Sequence, residues 1–189
     1  MSEIRLSNVI GFDDGPFDRD SVSSVAVVGA VYAGTRFDGA LVGAVAKDGD
    51  DATERLAELI ERSRFRDHLQ LVMMEGIALG GFNVVDIHEL SERLELPVLV
   101  LCRRQPDLGA IRSALLSRVP TGDSKWRRIE AAGPMEPVGN VWLQRAGLSR
   151  EAAAAVVERF AVHGHMPEPV RVAHLLARAF VTGESRGRV

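Results

Sequence analysis

Val9-Ile10-Gly11-Phe12-Asp13-Asp14-Gly15-Pro16-Phe17 decides how the rest of the chain is read. An apolar, strand-like run stops at two adjacent carboxylates and turns on Gly15-Pro16. Turn residues ordinarily close a buried strand, so one acid there is unremarkable. Two acids where a first strand meets solvent are where a metal ligand would sit. The residues after this turn set the fold class. The next apolar run, Val-Ser-Ser-Val-Ala-Val-Val-Gly-Ala-Val-Tyr over residues 22–32, arrives with no helical period in between. The stretch Ala33-Gly34-Thr35-Arg36-Phe37-Asp38-Gly39 reads as a hairpin-like connection, and residues 40–47 return as a third strand.

Beyond the meander the period changes. Asp48-Gly49-Asp50-Asp51-Ala52-Thr53 is a turn and a capped helix start, and the helix runs to about Ser63 with Leu56, Leu59 and Ile60 on one face. Residues 69–74 read as strand four and 84–94 as a helix, with Asn83 as its cap. Residues 98–102 read as strand five and 108–119 as a helix ending before Pro120. Residues 129–143 look strand- and turn-rich, and helices are expected over 150–163 and from Pro167 to about Val181. Three strands joined by short turns, then strands alternating with helices, predict an α/β fold. It has an antiparallel meander followed by parallel strands, the order of the ribonuclease-H-like mixed sheet. A doubly wound Rossmann fold is the alternative, but it needs a helix between the first two strands, and no Gly-x-Gly-x-x-Gly or Walker-type loop is present.

Composition bounds the function. The chain has 189 residues, 46% hydrophobic and 26% charged, with a formal net charge of −3. That fits one globular domain over residues 1–189, with a polar tail at about 182–189. No global basic field draws nucleic acid, so any such contact must come from local patches. The lone Cys102 excludes an intramolecular disulfide and reads as an inert thiol in an apolar strand. No apolar run reaches the roughly 18 residues needed to span a bilayer, so no membrane partner is expected. Met1-Ser2-Glu3-Ile4-Arg5 lacks the apolar core of a signal peptide, which gives a cytoplasmic protein as the expectation.

The chemistry-bearing residues follow from the strand ends. Leu69-Gln70-Leu71-Val72-Met73-Met74-Glu75-Gly76 is a second apolar run ending in an acid and a glycine. If it lies beside the first strand, Asp13 and Glu75 meet at one sheet edge, a pair of hard oxygen ligands suited to Mg²⁺ or Mn²⁺. Asp14 should point to the opposite face. A two-metal site commonly needs a third carboxylate, and Asp50 or Asp51 is the nearest candidate, although acids also favour helix N-termini on electrostatic grounds. Asp86 and His88 read as surface groups of a helix, and His163 and His165 as loop histidines. Arg171 and His174 lie three apart on one helix face. The arginine suits phosphate and the histidine suits proton transfer. Arg103 follows strand five on the same sheet edge. Lys125-Trp126-Arg127-Arg128 sets an aromatic among cations, a combination that contacts phosphates and stacks bases, or else an ordinary solvated helix face. Arg186 and Arg188 bring charge to the tail.

Gly11 to Phe17, Asp48 to Thr53, Glu75-Gly76-Ile77-Ala78-Leu79-Gly80-Gly81-Phe82-Asn83-Val84-Val85-Asp86-Ile87, Pro167-Glu168-Pro169-Val170-Arg171-Val172-Ala173-His174 and Gly183-Glu184-Ser185-Arg186-Gly187-Arg188 carry a resemblance. Over nearly its whole length the chain resembles an uncharacterised, mainly archaeal family, the domain of unknown function numbered 99. That family is similar to endonuclease V, a Mg²⁺-dependent, ribonuclease-H-like enzyme that cuts nucleic acid near inosine. The resemblance implies Asp13 as the strand-one metal aspartate and Glu75 in place of the strand-four aspartate. It sets Arg103 near the lysine after strand five, and Arg171 and His174 in the C-terminal Pro-Glu-Pro-x-Arg-x-Ala segment, whose last residue lies beside the metal. This chain departs from endonuclease V in the longer Glu75, in lacking the Pro-Tyr-Ile-Pro wedge, and in lacking the Phe-Arg-Glu acid that Asp50 or Asp51 would replace.

The expectation is therefore a metal-dependent nuclease acting on phosphodiester bonds of DNA or RNA through an Mg²⁺ or Mn²⁺ site of Asp13, Glu75 and Asp50 or Asp51. His174 would handle a proton, and Arg103 and Arg171 would hold phosphate. The alternatives are a non-catalytic nucleic-acid or nucleotide-binding module on the same fold, and a protein-interaction module, for instance a dimer through an apolar patch on the Ala-rich residues 152–157.

Overall fold

The structure, a computed structural model, describes residues 6–18, 20 and 22–186. In chain order its elements are β1 (Asn8–Asp14), β2 (Ser24–Ala33), β3 (Arg36–Ala46), α1 (Ala52–Glu61), β4 (Leu71–Glu75), β5 (Ala78–Leu79), β6 (Asn83–Val84), α2 (Ile87–Leu94), β7 (Val98–Cys102), α3 (Leu108–Arg118), α4 (Gly122–Ala131), β8 (Glu136–Val138), β9 (Val141–Ala146), α5 (Arg150–Phe160) and α6 (Glu168–Thr182). Seven strands form one sheet in the order β3-β2-β1-β4-β7-β9-β8, and β5 and β6 form a small separate hairpin. The pairs β1–β2 and β2–β3 are antiparallel, while β4 lies parallel to both β1 and β7. The meander followed by parallel strands is thus the order that the change of period predicts. The added strands β9 and β8 return antiparallel on the far side of β7.

Both faces of the central strands are buried, which is why they read as nearly continuous apolar runs. On one face Ile10, Phe12, Val72, Met74, Val98 and Val100 pack beneath α1 and α2. On the other, Val9, Leu71, Met73, Leu99 and Leu101 pack beneath α5 and α6. A third, smaller cluster of Val84, Leu115 and Ile129 holds α3 and α4 over the β6 hairpin. The apolar residues of α5 expected to form an interaction patch are used in the second cluster, where Ala153, Val156 and Val157 are buried.

Three local expectations change. Residues 83 and 84 belong to β6, and α2 begins at Ile87, because Asp86 is the cap: its side chain accepts from the backbone N–H of His88 (3.1 Å) and Glu89 (3.0 Å). Asn83 does not cap. It is fully buried, accepting from the Ala52 N–H at 2.9 Å and donating to the Ala46 carbonyl at 2.8 Å, which ties the hairpin to the start of α1. The region expected to be strand-rich from residue 129 begins instead as the last turn of α4, since the period of 122–131 is helical.

Two features of the sheet position the acids at its strand ends. The parallel register aligns Phe12 with Met74, and one step further sets Asp13 beside Glu75 at the C-terminal strand ends. Asp13 then shares the face of Val9 and Gly11, towards α6, and Asp14 the face of Ile10 and Phe12. Gly11 also lets α6 lie directly on β1: a Cβ there would stand 2.5 Å from the Val170 nitrogen and collide with the Pro169 carbonyl group. Both obstacles are backbone, so neither can rotate away. Gly11→Ala is expected to lower stability by about 2–3 kcal/mol through overpacking. Urea denaturation measures this; an unchanged midpoint would show that α6 is free to lift from β1 at no cost.

A carboxylate–histidine cluster as candidate metal centre

Asp13 ends the central strand and is only 6% exposed. One of its oxygens, Oδ1, accepts from the Asp14 backbone N–H at 2.9 Å, and Oδ2 lies 2.7 Å from Nδ1 of His174. His174 reaches it from the second turn of α6, the helix that Gly11 admits. Glu75 ends β4 at the neighbouring position, and Arg103, just past β7, grips its carboxylate through Nε at 2.9 Å and Nη2 at 3.5 Å. Asp13, Glu75 and His174 each offer a ligand atom, all within 4.8 Å of one another. Two carboxylates and an imidazole suit Mn²⁺ or Mg²⁺, hard cations that favour oxygen donors.

Burial and like charge set the electrostatics of the cluster. Burial pushes the Asp13 carboxyl from an ordinary 3.8 up to about 6, and the charges of Glu75 and Asp14 push the same way against the hydrogen bond with His174. That same hydrogen bond raises the His174 imidazole above its ordinary value, against partial burial. A cation bound there would compete with protons for both groups, since metal ligands must be deprotonated. The donor set and its burial fit a divalent ion.

The cluster borders an open cleft of about 1190 Å³ whose lining includes Glu75, Arg103, Arg171, His174, Arg178 and Arg186. Arg171 is already forked onto Glu168, with both contacts at 2.7 Å, and the exposed His163 meets the same carboxylate at 3.2 Å. Across the sheet end lies a smaller apolar pocket of about 250 Å³ that includes Gly76, Ile77, Phe82, Cys102, Leu108 and Met135. Burial raises the Cys102 thiol, which keeps it protonated and unreactive.

Other residues expected near the chemistry are held elsewhere. Asp51 accepts from the Ala46 N–H at 3.0 Å and from Asn83 Nδ2 at 2.7 Å. Asp50 accepts from Thr121 Oγ1 at 3.1 Å and Arg128 Nη1 at 3.2 Å. Neither belongs to the Asp13 cluster, so the third carboxylate expected of them is not supplied; the third group is His174. Asp14 turns to the opposite face, as strand alternation requires, and accepts from the Gly80 N–H at 2.8 Å. His165 lies 3.1 Å from Asn140, apart from His163's partner. Lys125, expected in a basic patch, is fully buried, with Nζ donating to the Asp48 and Gly49 carbonyls at 2.6 Å each. Its role was hidden because a lysine in the charged run ending Arg127-Arg128 on a short helix reads as solvated. Arg188 lies outside the described residues.

Comparison with known proteins places this geometry. A family model described as endonuclease dU matches residues 5–181. A UPF0215 protein of Deinococcus radiodurans is 49% identical over 184 residues, covering 97% of this chain and 94% of that one. A UPF0215 protein of Methanothermobacter thermautotrophicus is 43% identical, covering 98% and 92%. Relatives therefore occur in both archaea and bacteria. The crystal structure of a protein of unknown function from Archaeoglobus fulgidus superposes with a TM-score of 0.86 at 35% identity, over 93% of this chain and 98% of that one. Ciona intestinalis endonuclease V, crystallised with DNA containing an inosine, superposes with a TM-score of 0.61 at 13% identity, over 95% and 87%. At that identity the likeness is one of fold, and the fold is the ribonuclease-H-like mixed sheet. Among the described residues no helix is long and apolar enough to cross a membrane.

The cluster predicts how stability depends on pH. Asp13 binds its proton more tightly folded than unfolded, because its pKa is raised to about 6. Its stabilising contribution is therefore full below about pH 4 and lost as pH rises through about 6. In EDTA at pH 8, Asp13→Asn should stabilise the protein by on the order of 2 kcal/mol, and by less at pH 5. Mn²⁺ should then raise the melting temperature of the wild type alone. Thermal melts over that pH range check both; a variant that melts below the wild type at pH 8 in EDTA would contradict a strained carboxylate.

Proposed function

Because the chain belongs to the endonuclease dU family, we propose that it is a metal-dependent nuclease that hydrolyses phosphodiester bonds in nucleic acid. The observation that carries this is the convergence of Asp13, Glu75 and His174 at the rim of an arginine-lined cleft. Asp13 and Glu75 would hold the ion, with His174 beside them. When bound, Mg²⁺ or Mn²⁺ would lower the pKa of a water and offset charge on the scissile phosphate.

The chain's own residues do the rest. His174, held through Nδ1 on Asp13, is oriented by that bond and presents its half-exposed ring to the cleft. It exchanges a proton with the attacking water or the leaving oxygen, as a positioned imidazole does. Arg103, forked onto Glu75 and lining the cleft, would offer its guanidinium to a phosphate there, a charge-assisted contact against the transferring group. Arg171, forked onto Glu168 through Nε and Nη2, is held in place at the cleft wall, where the rest of its guanidinium would meet phosphate.

The family description and the endonuclease V complex both point to DNA carrying a deaminated base, deoxyuridine or inosine. The apolar pocket across the strand ends is of a size for a flipped base, and nucleic-acid enzymes that read single bases take them out of the stack. One observation favours a second reading. The Arg103–Glu75 fork satisfies a would-be ligand with a guanidinium, as it would in a binding module that has given up its ion.

Cleavage assays decide between them. Labelled DNAs carrying one deoxyuridine, one inosine or neither are incubated with the protein in Mn²⁺ or EDTA. The nuclease reading expects strand breaks at the deoxyuridine substrate in Mn²⁺, and a loss of roughly two to three orders of magnitude in Asp13→Asn. Tight binding without cleavage by the wild type in every condition would favour the binding module.

A further inference from the structure

The segment that follows α6 has no part in the cluster, yet it is built into the cleft. Gly183 closes α6 in the left-handed region, at φ 82°, where a side chain would be strained. Thr182 Oγ1 donates to the Arg178 carbonyl at 3.0 Å and approaches the Glu184 carbonyl at 2.7 Å, which fixes the direction in which the chain leaves. Residues 184–186 then form part of the cleft wall, together with Asn140 and His165.

The cations of this cleft fall into two classes. Arg103 and Arg171 are each forked onto a carboxylate, Glu75 and Glu168. Arg178 and Arg186 pair with no carboxylate among the described residues, although both line the cleft. Arg178 sits one helical turn beyond His174 on the same face of α6, about 6 Å along the axis. An uncommitted arginine one turn from a reacting centre, with a second on a chain segment bent to face the same cleft, matches the run of phosphates along one nucleic-acid strand. A single ion and one phosphate would not need a cleft of about 1190 Å³.

We infer that Arg178 and the post-helical arm bearing Arg186 form a second phosphate subsite, which holds the backbone of the substrate strand next to the scissile bond. This rests on the nuclease reading and extends it. The ligand is the phosphodiester backbone of a single strand, read by charge and independent of base identity.

The test separates this subsite from the reading beneath it. Binding of a single-stranded deoxyoligonucleotide with one deoxyuridine is measured in Ca²⁺ over a range of salt. The proteins are the wild type, an Arg178→Gln, Arg186→Gln double variant, and Arg62→Gln, which removes an exposed arginine just past α1 and outside the cleft. The double variant should bind more weakly at low salt, and its log K against log salt should be shallower by about 0.7 for each arginine lost. Arg62→Gln should keep the wild-type slope, and Mn²⁺ affinity by calorimetry should be the same in all three. An unchanged slope in the double variant overturns the subsite while leaving the nuclease reading intact, and so does an equal loss in Arg62→Gln. No binding by the wild type overturns both.

Discussion

How closely α6 can approach β1 governs the whole C-terminal edge of the sheet. Gly11 carries no side chain, and the Pro169–Val170 backbone fills the space that a Cβ would need. The approach is what lets a histidine on the second turn of a helix touch an aspartate at the end of a strand. His174 and Asp13 lie far apart in the chain yet 2.7 Å apart in space. Pro167 and Pro169 at the start of α6 fix the entry of the helix, and Glu168, buried between them, is neutralised by Arg171 in the first turn. A buried charge so near the helix start is tolerable because that partner is local and bidentate and His163 meets the same carboxylate.

The second constraint is electrostatic. A parallel register between β1 and β4 brings two carboxylates to adjacent strand ends, in a place where burial already disfavours charge. Three responses to that crowding are visible or available: the proton shared with His174, the guanidinium of Arg103 on Glu75, and a divalent cation. The first two each satisfy one carboxylate, whereas a divalent cation bound there would satisfy both. Catalytic groups are commonly found where such conflicts are maintained.

Acids that stand close to one another in the chain can serve quite different ends. Asp48 accepts from the Phe82 N–H at 2.8 Å, Asp50 binds α4 through Thr121 and Arg128, and Asp51 binds the β3 end and Asn83. With the buried Lys125, they fasten the β3–α1 loop to the β5–β6 hairpin and to α4. The α3–α4 unit, which has its own small core, is thus held by polar contacts as much as by apolar ones. This places the apolar pocket between that unit and the strand ends.

The change from a period of two without helices to strands alternating with helices determined the mixed sheet, because side-chain periodicity is a local property that a single sequence displays. Asp13 and Glu75 were legible for the same reason: each ends an apolar run, and strands end at the sheet edge. Their juxtaposition needed only the parallel pairing of β1 and β4 that the crossover through α1 allows. What the sequence could not settle was which further groups join them. Asp50 and Asp51 are nearer in element order than His174, and only the tertiary structure shows them held by Asn83, Thr121 and Arg128 instead. Nor does anything local mark Lys125 as buried or Arg178 as uncommitted. Those outcomes depend on which backbone carbonyls and carboxylates the packed helices bring within hydrogen-bond reach, a matter of distances between segments remote in the chain.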